Sequence, residues 1–162
     1  MKSTISASGK SEVTGVGAPP SLALVVQYAI DATGLPRRAE LRKWLRAALR
    51  RDAEVTLRIV AEDEGRALNR EYRKRDYATN VLTFVYQEEL DGLVGDIVLC
   101  APVVEREATE QRKPLTAHFA HLVIHGALHL QGYDHEDDSD AQAMEASEVQ
   151  ILARLGYDNP YL

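Results

Sequence analysis

The chain predicts an α+β fold, a small mixed β-sheet packed with helices, and three observations carry that expectation. Val55, Leu57 and Ile59 alternate with Thr56 and Arg58, the period of a half-buried strand. From Pro102 onward, apolar residues recur instead at helical spacing. Between these regimes, Asn80 to Tyr86 and Leu93 to Leu99 form two apolar runs around an acidic turn at Glu88 to Gly92, a hairpin pattern. Strands in the first half and helices in the second make an α+β arrangement.

The elements follow in order. Residues 1–20 are rich in Ser, Gly, Thr and Ala and end in Pro19-Pro20, the composition of a flexible tail ahead of a single domain at 21–162. Leu22 to Ala29 reads as the first strand. Pro36 opens a helix through Arg50, with Leu41, Trp44, Leu45, Ala48 and Leu49 on one side. After the Val55–Ile59 strand comes a polar helix, Asp63 to Lys74, with Leu68 and Tyr72 four apart. Beyond the hairpin, helices are expected from Pro102 to Arg112, from Pro114 or Leu115 to Leu130, and from Asp138 to Leu155. The apolar side of the last is expected at Ala141, Met144, Val149, Leu152 and Leu155.

At 162 residues the chain is long enough to bury one core, and no apolar run approaches the roughly 20 residues that span a bilayer. The beginning of the sequence lacks the charged-then-apolar layout of a secretory signal. A lone cysteine, Cys100, rules out an intramolecular disulfide framework and fits a reducing cytoplasm, where no disulfide-linked partner is expected; its place at the end of an apolar run predicts a buried structural thiol. The net charge of −6 argues against a protein that coats nucleic acid nonspecifically. That charge is unevenly spread: residues 35–75 hold 13 Lys and Arg against 7 acids, and residues 76–162 hold 4 against 16. A basic face for an anionic substrate and a solvated helix side both fit the basic half.

All five histidines, at 118, 121, 125, 129 and 135, lie within 18 residues. His125 and His129 project from one helix face, and Gly132 can end that helix in the left-handed conformation and return His135 to the same point. Three imidazoles with an open fourth position suit a catalytic zinc. The spacing H-x3-H-x2-G-x2-H is that of metzincin proteases, except that their general-base glutamate is here Gly126. His118 and His121 lie too far along the helix to bind the same metal. They read as helix-surface or packing residues or, less simply, as groups that support the ligands or meet the substrate. Asp134 can orient an imidazole, accept a proton or shape the turn. The acidic run Glu136 to Asp140 caps the last helix. Arg73 precedes the loop at Asp76 to Asn80, where a guanidinium can grip a phosphate, although spacing alone does not single it out among the basic residues.

These motifs together resemble the YbeY family of single-metal endoribonucleases. The resemblance rests on His-Gly-Ala-Leu-His-Leu-Gln-Gly-Tyr-Asp-His at 125–135, preceded by Leu68-Asn69-x-x-Tyr72-Arg73-x-x-Asp76, Thr79-Asn80-Val81-Leu82-x-Phe84 and Gly95-Asp96-Ile97. It runs from about residue 54 to the closing Gly-Tyr-Asp-Asn-Pro-Tyr. It implies a single-strand-specific endoribonuclease of the cytoplasm that matures the 3′ end of 16S ribosomal RNA and takes part in ribosome quality control. By matching position it makes His125, His129 and His135 ligands of one Zn2+, with nickel or another divalent metal equally suited to three imidazoles, and Arg73 the functional arginine beside it. The implied partners are ribosomal RNA, the 30S subunit and its proteins or an assembly GTPase, with no membrane. Thr79, Asn80 and Asp96 match other family positions. Ala78, Thr83 and Val85 depart from the proline, serine and proline common there. Two other readings compete: an assembly factor whose zinc is mainly structural, and a metallopeptidase that recruits a base such as Glu105 or Glu145.

Overall fold

The computed structural model describes residues 18–89 and 92–162. Its elements are β1 (Leu22–Tyr28), α1 (Arg38–Ala48), β2 (Asp52–Val60), α2 (Glu62–Arg73), β3 (Val81–Glu89), β4 (Gly92–Cys100), α3 (Ala101–Gln111), α4 (Leu115–Leu130) and α5 (Asp138–Leu155). Each element expected from the sequence is present, with ends shifted by a few residues; α4 and α5 run from Leu115 to Leu130 and from Asp138 to Leu155, as their patterns predict. The expected tail lies almost wholly outside the described residues, as does the tip of the hairpin turn.

The sheet is mixed, in the order β1-β2-β4-β3. β1 pairs with β2 and β2 with β4 in parallel, while β3 pairs with β4 antiparallel. Parallel neighbours require crossovers, and α1 supplies the one between β1 and β2. The hairpin thus leaves β3 as an edge strand. Its register is broken between Val85 and Gln87, a bulge that leaves Tyr86 unopposed.

The main core lies on the face of the sheet carrying Leu57, Ile59, Ile97 and Leu99, against Leu41, Trp44 and Leu45 of α1 and the buried residues of α4. A smaller core gathers Val60, Leu82, Val98, Cys100 and Val103, with Leu68 of α2 and Phe84 beside it. Cys100 is buried, as expected, and burial pushes its thiol pKa up. α4 sits close on the sheet because Gly95 permits it. A Cβ there would fall 2.8 Å from the Phe84 carbonyl oxygen and 2.9 Å from Leu130 Cδ2.

The last helix departs from expectation in one respect. Its inward stripe is Met144, Glu148, Ile151 and Leu152, with Glu148 fully buried and Val149 only half-buried. Spacings of four, seven and eight from Met144 describe that stripe, and Glu148 falls on it while Val149 does not.

Candidate metal centre

α4 ends at Leu130, directly after His129 and little more than a turn beyond His125. Gly132 takes φ +99°, its N–H donates to the His129 carbonyl at 3.1 Å, and the Tyr133 N–H reaches back to the Leu128 carbonyl at 3.1 Å. Such a terminus reverses the chain over the last helical turn. Gln131 anchors it: its side chain donates to the Ala48 and Ala127 carbonyls and accepts from the Arg50 N–H. The Asp134 carboxylate accepts from the His135 N–H at 2.7 Å. Of the roles open to Asp134, this contact supports turn shaping.

The reversal brings His135 back to the helix. Ring centroids of His125 and His129 lie 6.0 Å apart, and those of His135 lie 5.7 and 5.6 Å from the two. His125 and His129 are half-buried and His135 is exposed, so the triangle opens to solvent on one side. Three imidazoles on one tetrahedral ion, with Zn–N near 2.0–2.1 Å, have centroids about 5 Å apart. The observed triangle is therefore somewhat open, and among the described residues no three His, Cys, Asp or Glu side chains meet the geometry of a bound ion as they stand. No hydrogen bond holds the His135 ring among the described residues, so none opposes its rotation toward the other two.

The chemistry of the donors fits a metal. Nδ1 of His125 lies 2.6 Å from Glu148 Oε2, and Nδ1 of His129 lies 2.9 Å from the Tyr133 carbonyl oxygen. Carboxylate and carbonyl oxygens only accept, so both Nδ1 atoms carry the proton and both Nε2 atoms keep a lone pair. Glu148 is the residue that sequence reasoning missed. Its other oxygen meets His121 Nε2 at 2.9 Å and accepts a short hydrogen bond from the Tyr161 hydroxyl. Burial alone would raise the Glu148 pKa, but hydrogen bonds from His121, His125 and Tyr161 outweigh it and hold the carboxyl at about 2. Burial and the same carboxylate push the Tyr161 hydroxyl well above the ordinary phenol range. His121, read as a packing or supporting residue, thus supports the ligands by fixing the carboxylate that orients one of them.

His118 does not join the centre. Its Nε2 lies 2.8 Å from Glu107 Oε1, and Asn80 donates to the same carboxylate at 3.0 Å, so His118 ties α4, and Asn80 the start of β3, to α3. Asp96 accepts from the Tyr86 hydroxyl at 2.7 Å. Gly126, next to the first ligand, faces the sheet rather than the imidazoles. A Cβ there would lie 3.3 Å from Ile97 Cγ2 and 3.4 Å from Thr83 Cγ2. A glutamate at this position would point into packed methyl groups, so its absence has a steric reason as well as a chemical consequence.

Arg73, the last residue of α2, is brought to the edge strand and not onto the imidazoles. Its guanidinium donates to the Thr83 carbonyl at 2.7 Å and lies over the Phe84 ring, 5.5 Å from its centroid. Thr83 therefore joins the two halves of the site, with Arg73 on its carbonyl and Gly126 of the histidine helix against its methyl.

Comparison with known proteins identifies the family. A family model described as endoribonuclease YbeY matches residues 33–156. The chain is 60% identical over 152 residues to an endoribonuclease YbeY of Azoarcus sp., covering 88% of this chain and 60% of that protein. It is 62% identical over 143 residues to the one from Aromatoleum aromaticum, covering 86% of this chain and 92% of that protein. The solution structure of TM1509 from Thermotoga maritima superimposes with a TM-score of 0.53 at 26% identity, covering 82% of this chain and 91% of that one. The chain belongs to the endoribonuclease YbeY family.

Proposed function

We propose that this protein is a zinc-dependent endoribonuclease that cleaves single-stranded RNA, with His125, His129 and His135 as the metal ligands and Arg73 as the residue that meets the phosphate. The observation that carries this reading is the imidazole triangle, two of whose rings are held with Nε2 unprotonated. A zinc ion on that set supplies Lewis acidity toward a phosphodiester oxygen and toward water; nickel suits the same donors.

The chain's own residues do the rest. Glu148 keeps the His125 Nδ1 proton in place, and the Tyr133 carbonyl does the same for His129. Arg73 is held by the Thr83 carbonyl through one Nη atom, leaving the rest of its fork to meet a phosphate and stabilise charge as it grows in the transition state. Glu148 is engaged behind the ligands, so it positions a ring and does not take a proton from the reacting water.

The substrate follows from the relatives' name, endoribonuclease. Maturation of the 16S ribosomal RNA 3′ end in the cytoplasm, on the 30S subunit with its proteins or an assembly GTPase, is the setting we assign. Among the described residues no helix is long and apolar enough to cross a membrane, which is compatible with that setting. The test pairs metal analysis with cleavage of a labelled single-stranded RNA spanning a 16S 3′ end. Wild type and Arg73→Ala should each carry about one metal ion, His125→Ala little, and both variants should cleave at least about 100-fold more slowly, the scale of losing one transition-state donor. Wild-type cleavage by Arg73→Ala would remove Arg73 from the chemistry, and cleavage by metal-depleted protein would remove the metal.

A further inference from the structure

The edge strand carries a second feature. Tyr86, the unopposed residue of the β3 bulge, is 66% exposed, and Tyr72 on α2 is 55% exposed. Both line one shallow groove of about 540 Å3, with Arg73 and Phe84 between them. Folding accounts for only part of each ring, because more than half of each residue's surface stays in water. They are also held in position. The Tyr86 hydroxyl donates to Asp96 Oδ2 at 2.7 Å, which pushes its pKa up to about 12. The Tyr72 ring meets Phe84 edge-on at 5.3 Å between centroids. A ring fixed by its hydroxyl or its edge can receive a flat partner with little loss of freedom.

Charge around the groove narrows the partner. The end of α2 and the loop after it place Arg73, Lys74 and Arg75 together, and among the described residues none of the three has a carboxylate within ion-pair distance. Two carboxylates line the groove and both are occupied: Arg58 grips Glu64 through two bonds of 2.7 and 3.0 Å, and Asp96 accepts from Tyr86. The groove therefore sets flat rings beside the Arg73 guanidinium, with Lys74 and Arg75 next to it in the chain. That combination suits a strand of unpaired bases with its phosphates alongside, because a duplex keeps its base faces stacked inside.

We propose that Tyr86 and Tyr72 form a base-stacking ledge for single-stranded RNA, seating the nucleotides that flank the scissile phosphate while Arg73 holds the phosphate between them. The proposal rests on the reading that the substrate is RNA, and adds to it the side chains that select unpaired nucleotides. Thr83 links the ledge to the histidine helix around the β3 edge: its carbonyl accepts from Arg73, while its methyl packs by Gly126 on the other face of the sheet.

The test is steady-state cleavage of a single-stranded RNA by the metal-loaded full chain. Tyr86→Ala should raise KM by about 5- to 150-fold, the range for losing one stacked base, with metal content unchanged. Tyr86→Phe, which keeps the ring, should recover most of that loss. Tyr72→Ala should raise KM over the same range, again with metal content unchanged. A further arm needs no variant: wild type should be inhibited at least about fivefold less well by an abasic oligonucleotide than by an RNA of equal phosphate number. Equal inhibition by the two, or an unchanged KM in both alanine variants while wild type cleaves RNA, overturns the ledge and leaves the nuclease standing. A wild type that neither binds nor cleaves RNA overturns both.

Discussion

Glu148 Oε2 stands 2.6 Å from His125 Nδ1, and the side chain that makes this contact has no exposed surface. A carboxylate is rarely buried so completely, and this one is stabilised by three donors from two other segments, His121 and His125 on α4 and Tyr161 near the end of the sequence. It orients a ligand from behind, as the partners of metal-binding histidines generally do.

Replacing Glu148 with glutamine should therefore weaken metal binding about 10- to 100-fold, because the amide turns an N–H toward one of the imidazole donors. Competition against a chelator of known affinity measures this. Wild-type metal affinity in Glu148→Gln would reduce the residue to a packing role.

Gly126→Glu should destabilise the fold by about 1–3 kcal/mol or more through overpacking alone, since its side chain must enter between Ile97 and Thr83. It should confer no peptidase activity, because that direction leads away from the imidazoles. Gly126→Ala, which asks only for small shifts of two methyl groups, should stay within about 1 kcal/mol of wild type, the intrinsic helix preference for alanine offsetting the tighter contact. Urea midpoints and a peptide-cleavage assay check both.

His118 gives a pH signature. Burial depresses its pKa below the ordinary 6.5, against the opposing hydrogen bond with Glu107. Protonation would place a second N–H at Nδ1, a buried atom with no partner. The unfolded chain then binds the proton more readily than the native one. The stability tied to His118 is complete above pH 6.5 and falls as the pH drops from there through the folded-state value. His118→Gln should show a shallower loss of urea resistance over that interval, and a slope equal to wild type would contradict the assignment.

Gly132→Ala tests the turn. No atom lies within 4 Å of where its Cβ would go, so the penalty is purely conformational and arises from φ +99°. A loss of about 1–2 kcal/mol is expected. Because this turn delivers His135, metal affinity should fall with it, and calorimetric metal titration of the variant separates that effect from stability.

The histidine cluster was legible because its signal is local: four residues along a helix, then a glycine and a short return. The ends of α4 and α5 were legible to within about a residue for the same reason. The strand order was not, since the pairing of β1 with β2 and β2 with β4 depends on contacts made across whole intervening elements. Glu148 was hidden differently. It sits among the acids of α5, and only its place on the stripe of Met144, Ile151 and Leu152 marks it as inward. Arg73 shows the limit of composition, for among so many basic residues only the family resemblance picked it out before the Thr83 contact was visible.

Tyr161 has a consequence in time. A polypeptide emerges from the ribosome in sequence order, and Tyr161 follows every other residue of the metal centre by many positions. Until that hydroxyl arrives, Glu148 lacks one of its three donors and the ring it steadies is less firmly aimed. A nascent chain of this protein thus carries its histidines early and completes their support late.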